Sequence, residues 1–179
     1  MHQRENINVR EIEIRDISLI TDYWLRSDPD FLIGMGVDLK KLPSKKGFEE
    51  MLSKQISLPL NRKESYAVIW EYNEEPIGHS NLNEIVFGKQ AKMHLHIWKT
   101  SYRQKGIGTK LLQKSLLQYF EKLQLEKLIC EPYSFNTAPN KALQRIGFEF
   151  IKQYKTIPGA LNFEQLVNRW ELTKDNLKI

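Results

Sequence analysis

The chain has 179 residues, of which 41% are hydrophobic and 27% charged, a composition typical of one globular domain with its own core. With one cysteine, Cys130, an internal disulfide is excluded, and we expect a single domain over residues 1–179 in the reducing cytoplasm. The net charge of +5 favours anionic partners, but its basic residues are dispersed, which argues against nucleic acid. No apolar run approaches the roughly 20 residues that span a bilayer, and the first residues do not form a signal peptide.

The first part of the chain predicts a strand followed by two helices. Residues 7–14 predict the strand, and Asp16 is placed to cap a helix that ends near residue 26. Residues 27–46 contain two prolines and two glycines and predict a loop. Ser44 is expected to cap a second helix that runs to about residue 56.

The hydrophobic period then changes to that of strands. Three such segments, separated by short turns, predict an antiparallel meander at residues 66–70, 77–86 and 92–98. The remaining predicted elements are a helix at 107–122, a strand at 127–131, a helix at 137–146 ended by Gly147, and strands at 148–154 and 166–172. This order predicts an α/β (α+β) fold with a mixed, mostly antiparallel sheet flanked by helices.

The segment between the third meander strand and the next helix has the features of a phosphate site. Gly106 and Gly108 allow close approach of an anion, and the start of the helix offers unpaired amides and a positive dipole end. Arg103, Lys105 and Lys110 add positive charge. Two other phosphate loops are excluded, because the dinucleotide fingerprint needs glycine or alanine where Leu111 stands, and the P-loop needs glycine where Thr109 stands.

Two motifs together resemble the GNAT superfamily of N-acetyltransferases. Residues 103–108, RQKGIG, resemble its Q/R-x-x-G-x-G/A motif, and residues 136–148, NTAPNKALQRIGF, resemble its downstream asparagine segment that leads to glycine–phenylalanine. The order of elements agrees with that family over about residues 7–172. The resemblance implies a GNAT-like acyl-CoA N-acyltransferase fold that binds acetyl-CoA (coenzyme A).

The resemblance also implies a cofactor site. The main chain of the strand end would bind the pantetheine arm, the loop and helix start would bind the pyrophosphate, and Lys110 and Lys114 would meet the remaining phosphate. Asn136 would contact the pantetheine or the acyl end, or cap a helix. The cofactor-binding residues implied are Ile97, Trp98, Lys99, Arg103, Gln104, Lys105, Gly106, Ile107, Gly108, Thr109, Lys110 and Asn136.

A general base has to deprotonate the attacking amine, whose ammonium form has a pKa near 10.4. In members of the family the base often lies on the strand before the loop or on its neighbour, which here indicates His96, His94 and Glu84 and leaves the choice among them open. The tyrosine that serves many members as general acid is replaced by Leu143, with Tyr133 as a substitute candidate. A thiolate also leaves without an acid, since the pKa of a thiol is near 8.5.

The predicted function is transfer of acetyl from acetyl-CoA to a primary amine by direct attack in a ternary complex, without a metal. A small-molecule acceptor is favoured. Five carboxylates are candidates to attract its ammonium form, although such groups are more often solvated surface charges: Asp28, Asp30, Asp38, Glu49 and Glu50. Trp24, Phe31 and Trp98 are candidate pocket walls. The alternatives are a protein N-terminal or lysine acetyltransferase and a non-catalytic acyl-CoA-binding regulator, each as a monomer or homodimer.

Overall fold

The computed structural model describes residues 6–103 and 106–177. Within these residues, seven strands form one sheet and five α-helices cover its two faces. The strands are β1 (Ile7–Glu11), β2 (Tyr66–Tyr72), β3 (Glu75–Val86), β4 (Gln90–Ile97), β5 (Lys127–Cys130), β6 (Glu149–Thr156) and β7 (Gln165–Thr173). The helices are α1 (Ile17–Arg26), α2 (Pro29–Gly34), α3 (Lys45–Ser57), α4 (Ile107–Lys122) and α5 (Thr137–Ile146).

The strand order across the sheet is β1-β2-β3-β4-β5-β7-β6. Every neighbouring pair is antiparallel except β4 and β5, which are parallel. The meander predicted from the sequence is therefore confirmed as β2-β3-β4, and so is the mixed, mostly antiparallel sheet. The single parallel pair follows from α4, which carries the chain from the end of β4 back to the start of β5.

The core lies on both faces of the sheet because strand residues alternate between faces. In β2, Val68 packs into a cluster with Leu111 and Leu116 of α4, whereas its neighbour Ile69 packs with Ile20 of α1 on the opposite face. Helices α4 and α5 thus cover one face and α1 to α3 cover the other.

One predicted loop contains an additional helix. Residues 27–46 include α2, whose first turn is stabilised by Pro29 at its first position and by the Asp28 carboxylate, which accepts a bond from the Phe31 amide at 3.0 Å. The cap predicted at Ser44 is confirmed, since its hydroxyl accepts from the Gly47 amide at 3.1 Å. The bounds predicted for α4 and α5 agree with the structure.

Strands β4 and β5 pair over only three residues and then diverge. Gln90, Ala91 and Lys92 lie beside Lys127, Leu128 and Ile129. Among the described residues, none from Met93–Ile97 pairs with β5. At the apex of the divergence, the Cys130 thiol donates to the Met93 carbonyl at 3.1 Å. A wedge-shaped gap therefore opens beside the second half of β4.

The start of α1 is held to the sheet by a buried ion pair. Asp16 is almost fully buried and accepts two bonds from the Arg10 guanidinium, at 2.6 and 2.8 Å. Arg10 also donates to Glu71 at 2.7 Å, so the network joins β1, β2 and the start of α1. Burial opposes ionisation of Asp16, but the bonds from Arg10 outweigh it and lower the pKa of the carboxyl group.

Replacing Asp16→Asn is expected to lower the free energy of unfolding by about 2–3 kcal/mol at pH 7, because a buried charge loses its partner. Since the folded-state pKa is lowered, the stabilisation is present above the unfolded pKa and is lost as the pH falls through the folded one. Urea unfolding from pH 7 to acidic pH measures both effects. Asp22→Asn, in an exposed pair with Arg26, is the control and should cost less than about 1 kcal/mol. Equal losses in the two variants would contradict the assignment.

Candidate active site

Three histidines lie on one face of β3 and β4. The register places His79 opposite His96 and Asn81 opposite His94, so these side chains project from the same face. Met93 and Ala91 pack in the cluster on the α4 face, which confirms the predicted division of the strand into two faces. His79 was missed by the sequence analysis, because its proximity to His96 depends on the pairing register of the two strands.

His96 is enclosed by aromatic rings. His79 stacks on it with ring centroids 4.7 Å apart and 22° between the planes, and Trp24 meets it edge-on at 4.9 Å. The Tyr23 hydroxyl lies 3.2 Å from His96 Nδ1 and donates to Met35 Sδ at 3.6 Å. The tyrosine oxygen accepts from Nδ1–H of His96 in the tautomer whose lone pair is on Nε2. We assign that tautomer because the hydroxyl proton can then bond the sulfur.

Burial keeps all three histidines neutral. It lowers the pKa of His96 well below the ordinary value, with repulsion from His79 and His94 adding to the effect. Burial also lowers the pKa of His79 to about 3 and that of His94 to about 4. At neutral pH each imidazole is therefore uncharged and carries one ring lone pair.

Trp98 holds the ring of His79 in position. Its indole Nε1–H donates to His79 Nδ1 at 2.8 Å. That bond places the proton of His79 on Nε2 and fixes the ring that stacks on His96. The sequence analysis therefore named Trp98 as a site residue but did not predict its hydrogen bond to His79.

The other two candidate bases have different surroundings. His94 Nε2 is buried and has no hydrogen-bond partner among the described residues, and the ring lies close to Gly159 of the β6–β7 connection. Glu84 is held in an ion pair with Lys92 at 3.0 Å, and its side chain is 64% exposed. Its carboxylate is therefore engaged with an ammonium group at the protein surface, outside the ring cluster around His96.

A cavity of about 580 Å³ extends from the histidines across the face covered by α1 and α3. His79, His94 and His96 line it, together with apolar side chains from α1 and α3. The segment from residue 158 to 162, between β6 and β7, closes its far side. Of the three predicted acceptor walls, Trp24 lines this cavity, whereas Phe31 and Trp98 do not.

The five carboxylates that the sequence analysis named as acceptor candidates or solvated charges do not line this cavity. Asp28 and Asp38 accept bonds from main-chain amides at the starts of helical turns. Glu49 and Glu50 form exposed pairs with lysines one helical turn earlier in α3. These four side chains are helix caps and surface charges, which the sequence pattern could not distinguish from acceptor ligands. Asp30 lies in the first turn of α2 and is also absent from the lining.

The amino end of α4 has the geometry expected of an anion site. Gly106 precedes the helix with φ of 75°, a left-handed conformation that favours glycine, and no side chain among the described residues caps the first turn. A Cβ on Gly108 would lie 3.1 Å from Ile97 Cδ1, so glycine allows the helix to pack against β4. Ile107 is buried, while Thr109, Lys110 and Lys114 follow on more accessible positions of the helix. The cofactor-binding roles predicted for Gln104 and Lys105 fall on positions outside the described residues.

Two basic residues before α4 make contacts within the protein. Arg103 Nη2 donates to the Ile97 carbonyl at 2.9 Å, and its guanidinium lies 4.3 Å from the centre of the Phe31 ring. Lys99 is exposed and pairs with Glu75. In this structure the charged groups of Arg103 and Lys99 are engaged near the end of β4. To contact a phosphate, either side chain would have to rotate away from its present partner.

The main chain of β4 presents alternate residues to the wedge-shaped gap. The Trp98 amide donates to the Ile77 carbonyl at 2.8 Å, so it is already used in the sheet and is not a donor for a cofactor. In an antiparallel pair the direction of the main-chain groups alternates, so Leu95 and Ile97 direct theirs away from β3. The bonds that Cys130 and Arg103 make to carbonyls of this set agree with that direction. The sequence analysis missed Leu95, because only the register shows which residues face the gap.

Beyond β5, Asn136 lies at the cap position of α5 but its side chain makes no capping bond. Asn136 lines the cavity, where its side-chain amide is placed to meet a ligand. The neighbouring Asn140 is structural, since its Oδ1 accepts from the Trp170 indole at 2.8 Å. Leu143 is fully buried in the core, which leaves no acid at that position, while Tyr133 lines the cavity.

Comparison with sequence families gives one clear match. A family model described as an acetyltransferase (GNAT) domain matches residues 6–149. No curated protein sequence matches the chain significantly.

Solved structures with the same fold cover nearly the whole chain. A spermidine N-acetyltransferase from Vibrio cholerae, solved with CoA and spermine, has a TM-score of 0.77 at 18% identity over 95% of this chain and 96% of its own. A ribosomal L7/L12 α-N-protein acetyltransferase with coenzyme A has a TM-score of 0.76 at 16% identity over 95% of both chains. An aminoglycoside acetyltransferase with coenzyme A has a TM-score of 0.72 at 17% identity over 96% of both chains.

Two kinds of feature are absent from the described residues. No helix among them is long and apolar enough to cross a membrane. Within the same residues, no group of three or more histidine, cysteine, aspartate or glutamate side chains is arranged to hold a metal ion.

Cys130 is expected to be unreactive in the folded protein. It is buried, and burial raises the pKa of its thiol to about 12, so the thiolate fraction is about a thousandfold smaller than for an ordinary cysteine. A thiol-specific chromogenic reagent at pH 8 should therefore label the native chain very slowly and the urea-unfolded chain at once. Rapid labelling of the native protein would contradict this placement.

Proposed function

Because the chain belongs to the GNAT family of acetyltransferases, we propose that it transfers the acetyl group of acetyl-CoA to a primary amine of a small molecule. The observation that carries this proposal is the position of β4. One edge of this strand faces the gap beside the amino end of α4, and one face of it lines the cavity with His96. A thioester in the gap and an amine in the cavity meet at the same strand.

The cofactor is assigned to the gap and the start of α4. The amides from Gly106 to Thr109, aided by the helix dipole, bind the pyrophosphate. Lys110 and Lys114, one turn apart, are placed for the remaining phosphate. The pantetheine arm runs along the edge of β4 at Leu95 and Ile97, and the Asn136 amide binds it from the α5 side.

The amide of Leu95 is the proposed donor to the thioester oxygen. It points into the gap at the level where β4 and β5 have separated, and the negative charge that develops on this oxygen is stabilised by a fixed donor. The neighbouring Met93 carbonyl accepts from Cys130, and the Ile97 carbonyl accepts from Arg103. The strand edge is therefore held in position before a substrate binds.

His96 is the proposed general base. Nε2 of His96 takes a proton from the amine, whose nitrogen attacks the thioester carbon and forms the C–N bond. The C–S bond then breaks, and the coenzyme A thiolate leaves and takes a proton from solvent. The attack is direct, in a ternary complex, and the buried Cys130 takes no part.

A small-molecule acceptor is supported by the walled cavity and by relatives of the same fold that act on spermidine or aminoglycosides. The alternative of a protein N-terminus is represented by the L7/L12 α-N-protein acetyltransferase of the same fold. A non-catalytic regulator would bind coenzyme A and release no thiol with any amine. An assay of free coenzyme A thiol with small amines and with peptides therefore separates the three.

Gly108→Trp is expected to abolish acetyl transfer, because its side chain meets Ile97 and fills the approach to the α4 amides. The measurement is thiol release with the best amine of the panel, together with coenzyme A binding by calorimetry. Leu117→Trp, at an exposed position of the same helix, is the control and should keep wild-type activity. Full activity in Gly108→Trp would show that the cofactor lies elsewhere.

His96→Gln should lower kcat/KM by about a hundredfold at pH 7, the usual contribution of a general base. The loss should shrink as the pH nears the pKa of the amine, because the deprotonated nucleophile then needs no base. Since the pKa of His96 is lowered, the wild-type profile should show no inflection from this imidazole near pH 6.5.

Tyr23→Phe tests the orientation of the imidazole and should lower kcat by about tenfold, because it removes the bond to Nδ1, together with a weak contact to Met35 Sδ. Tyr102→Phe, which loses a surface bond to Glu75, is its control and should leave kcat unchanged.

For His96→Gln, an equal loss of kcat/KM at every pH would remove His96 from the role of base.

A further inference from the structure

The cavity next to His96 is walled mainly by apolar side chains. Helix α1 contributes Trp24, α3 contributes Phe48 and Leu52, and the far side is formed by Val37 and Leu161. All five belong to one continuous hydrophobic cluster or pack against it. An occupant that fills this space removes its own surface from water, which is favourable only for an apolar group.

The carboxylates that line the cavity have little capacity for additional cations. Glu131 is buried and already accepts from Lys92 and Arg169, both at 3.2 Å, and from Tyr154. Glu84 pairs with the same Lys92. A second ammonium on the substrate would have to displace one of these partners, and an unpaired buried charge is strongly unfavourable.

The remaining charged groups of the lining are at its edge and have opposite signs. Glu64 is exposed to solvent, where a carboxylate attracts a cation only weakly. Lys41 also lines the cavity, with its ammonium donating to the Asn162 carbonyl at 2.6 Å, and it repels a cationic ligand. The described lining therefore offers no strong site for a polycation.

We infer that the acceptor is a monoamine with an apolar body, whose single amino group meets His96 while the body lies against α1 and α3. This inference rests on the proposed function and specifies its substrate class. It separates this protein from the structures of the same fold solved as spermidine or aminoglycoside acetyltransferases, since those substrates carry several amino groups.

Met51 is the proposed specificity residue at the mouth of the cavity. It lies on α3 one turn from Phe48, it lines the cavity, and 46% of its surface is exposed. An exposed apolar side chain at a cavity mouth extends the apolar wall to solvent. Because it is exposed, its replacement should leave the folded core intact.

The test compares 2-phenylethylamine with spermidine, which present the same kind of primary amine on different bodies. In the wild-type protein, kcat/KM for 2-phenylethylamine is expected to exceed that for spermidine by at least about tenfold. Calorimetric titration of each amine into the protein with coenzyme A bound measures the same preference without turnover. A preference for spermidine in either measurement overturns the inference.

Met51→Glu should lower kcat/KM for 2-phenylethylamine and raise that for spermidine, so that their ratio falls at least about fivefold. Lys54→Gln is the matched control, because it changes the net charge by the same amount at an exposed α3 position outside the lining. An equal change of the ratio in both variants would mean that long-range charge, and not the cavity mouth, sets the preference, which overturns the role of Met51.

The two proposals fail in different ways. Release of coenzyme A thiol with spermidine but not with 2-phenylethylamine would leave the acetyltransferase intact and overturn the substrate class. Tight binding of 2-phenylethylamine with no thiol release from any amine would support the class of ligand and overturn the proposed reaction.

Discussion

The end of the pairing between β4 and β5 is the constraint on which the proposed site depends. Three parallel residue pairs hold the strands together, and the Cys130 thiol closes the apex by bonding the Met93 carbonyl. Beyond this point the edge of β4 has main-chain groups without a strand partner, and such groups favour a ligand that can pair with them. The same divergence leaves room for the amino end of α4 beside Ile97.

Strand β4 separates the two halves of the proposed chemistry through its alternation. Met93 faces the α4 core, while His94 and His96 face the cavity under α1 and α3. The main-chain edge, at right angles to both faces, is assigned to the cofactor. In the proposed function, a single strand therefore offers both the donor for the thioester oxygen and the base for the amine, within one residue of each other.

Burial accounts for the electrostatic character of the cavity. It disfavours charge on His79, His94 and His96, so the three rings remain neutral beside one another. It also requires the buried carboxylate of Glu131 to keep its basic partners. The proposed acceptor site is therefore better suited to a neutral amine than to a cationic body, in agreement with an amine that reacts in its deprotonated form.

The sequence by itself determined most of the elements, because helical periodicity, caps and glycine positions are local properties, and it predicted an anion site from the same signals. It predicted the bounds of α4 and α5, the cap at Ser44 and the use of Gly106 at the start of α4. It did not reveal His79, Tyr23 or Leu95, since their proposed roles depend on strand register and on which helix covers which face. It also left open whether Asp28 and Asp38 meet the acceptor, and the folded chain uses both as caps. Only the tertiary structure decided which of these charges meet the cavity, because that depends on contacts between residues far apart in the chain.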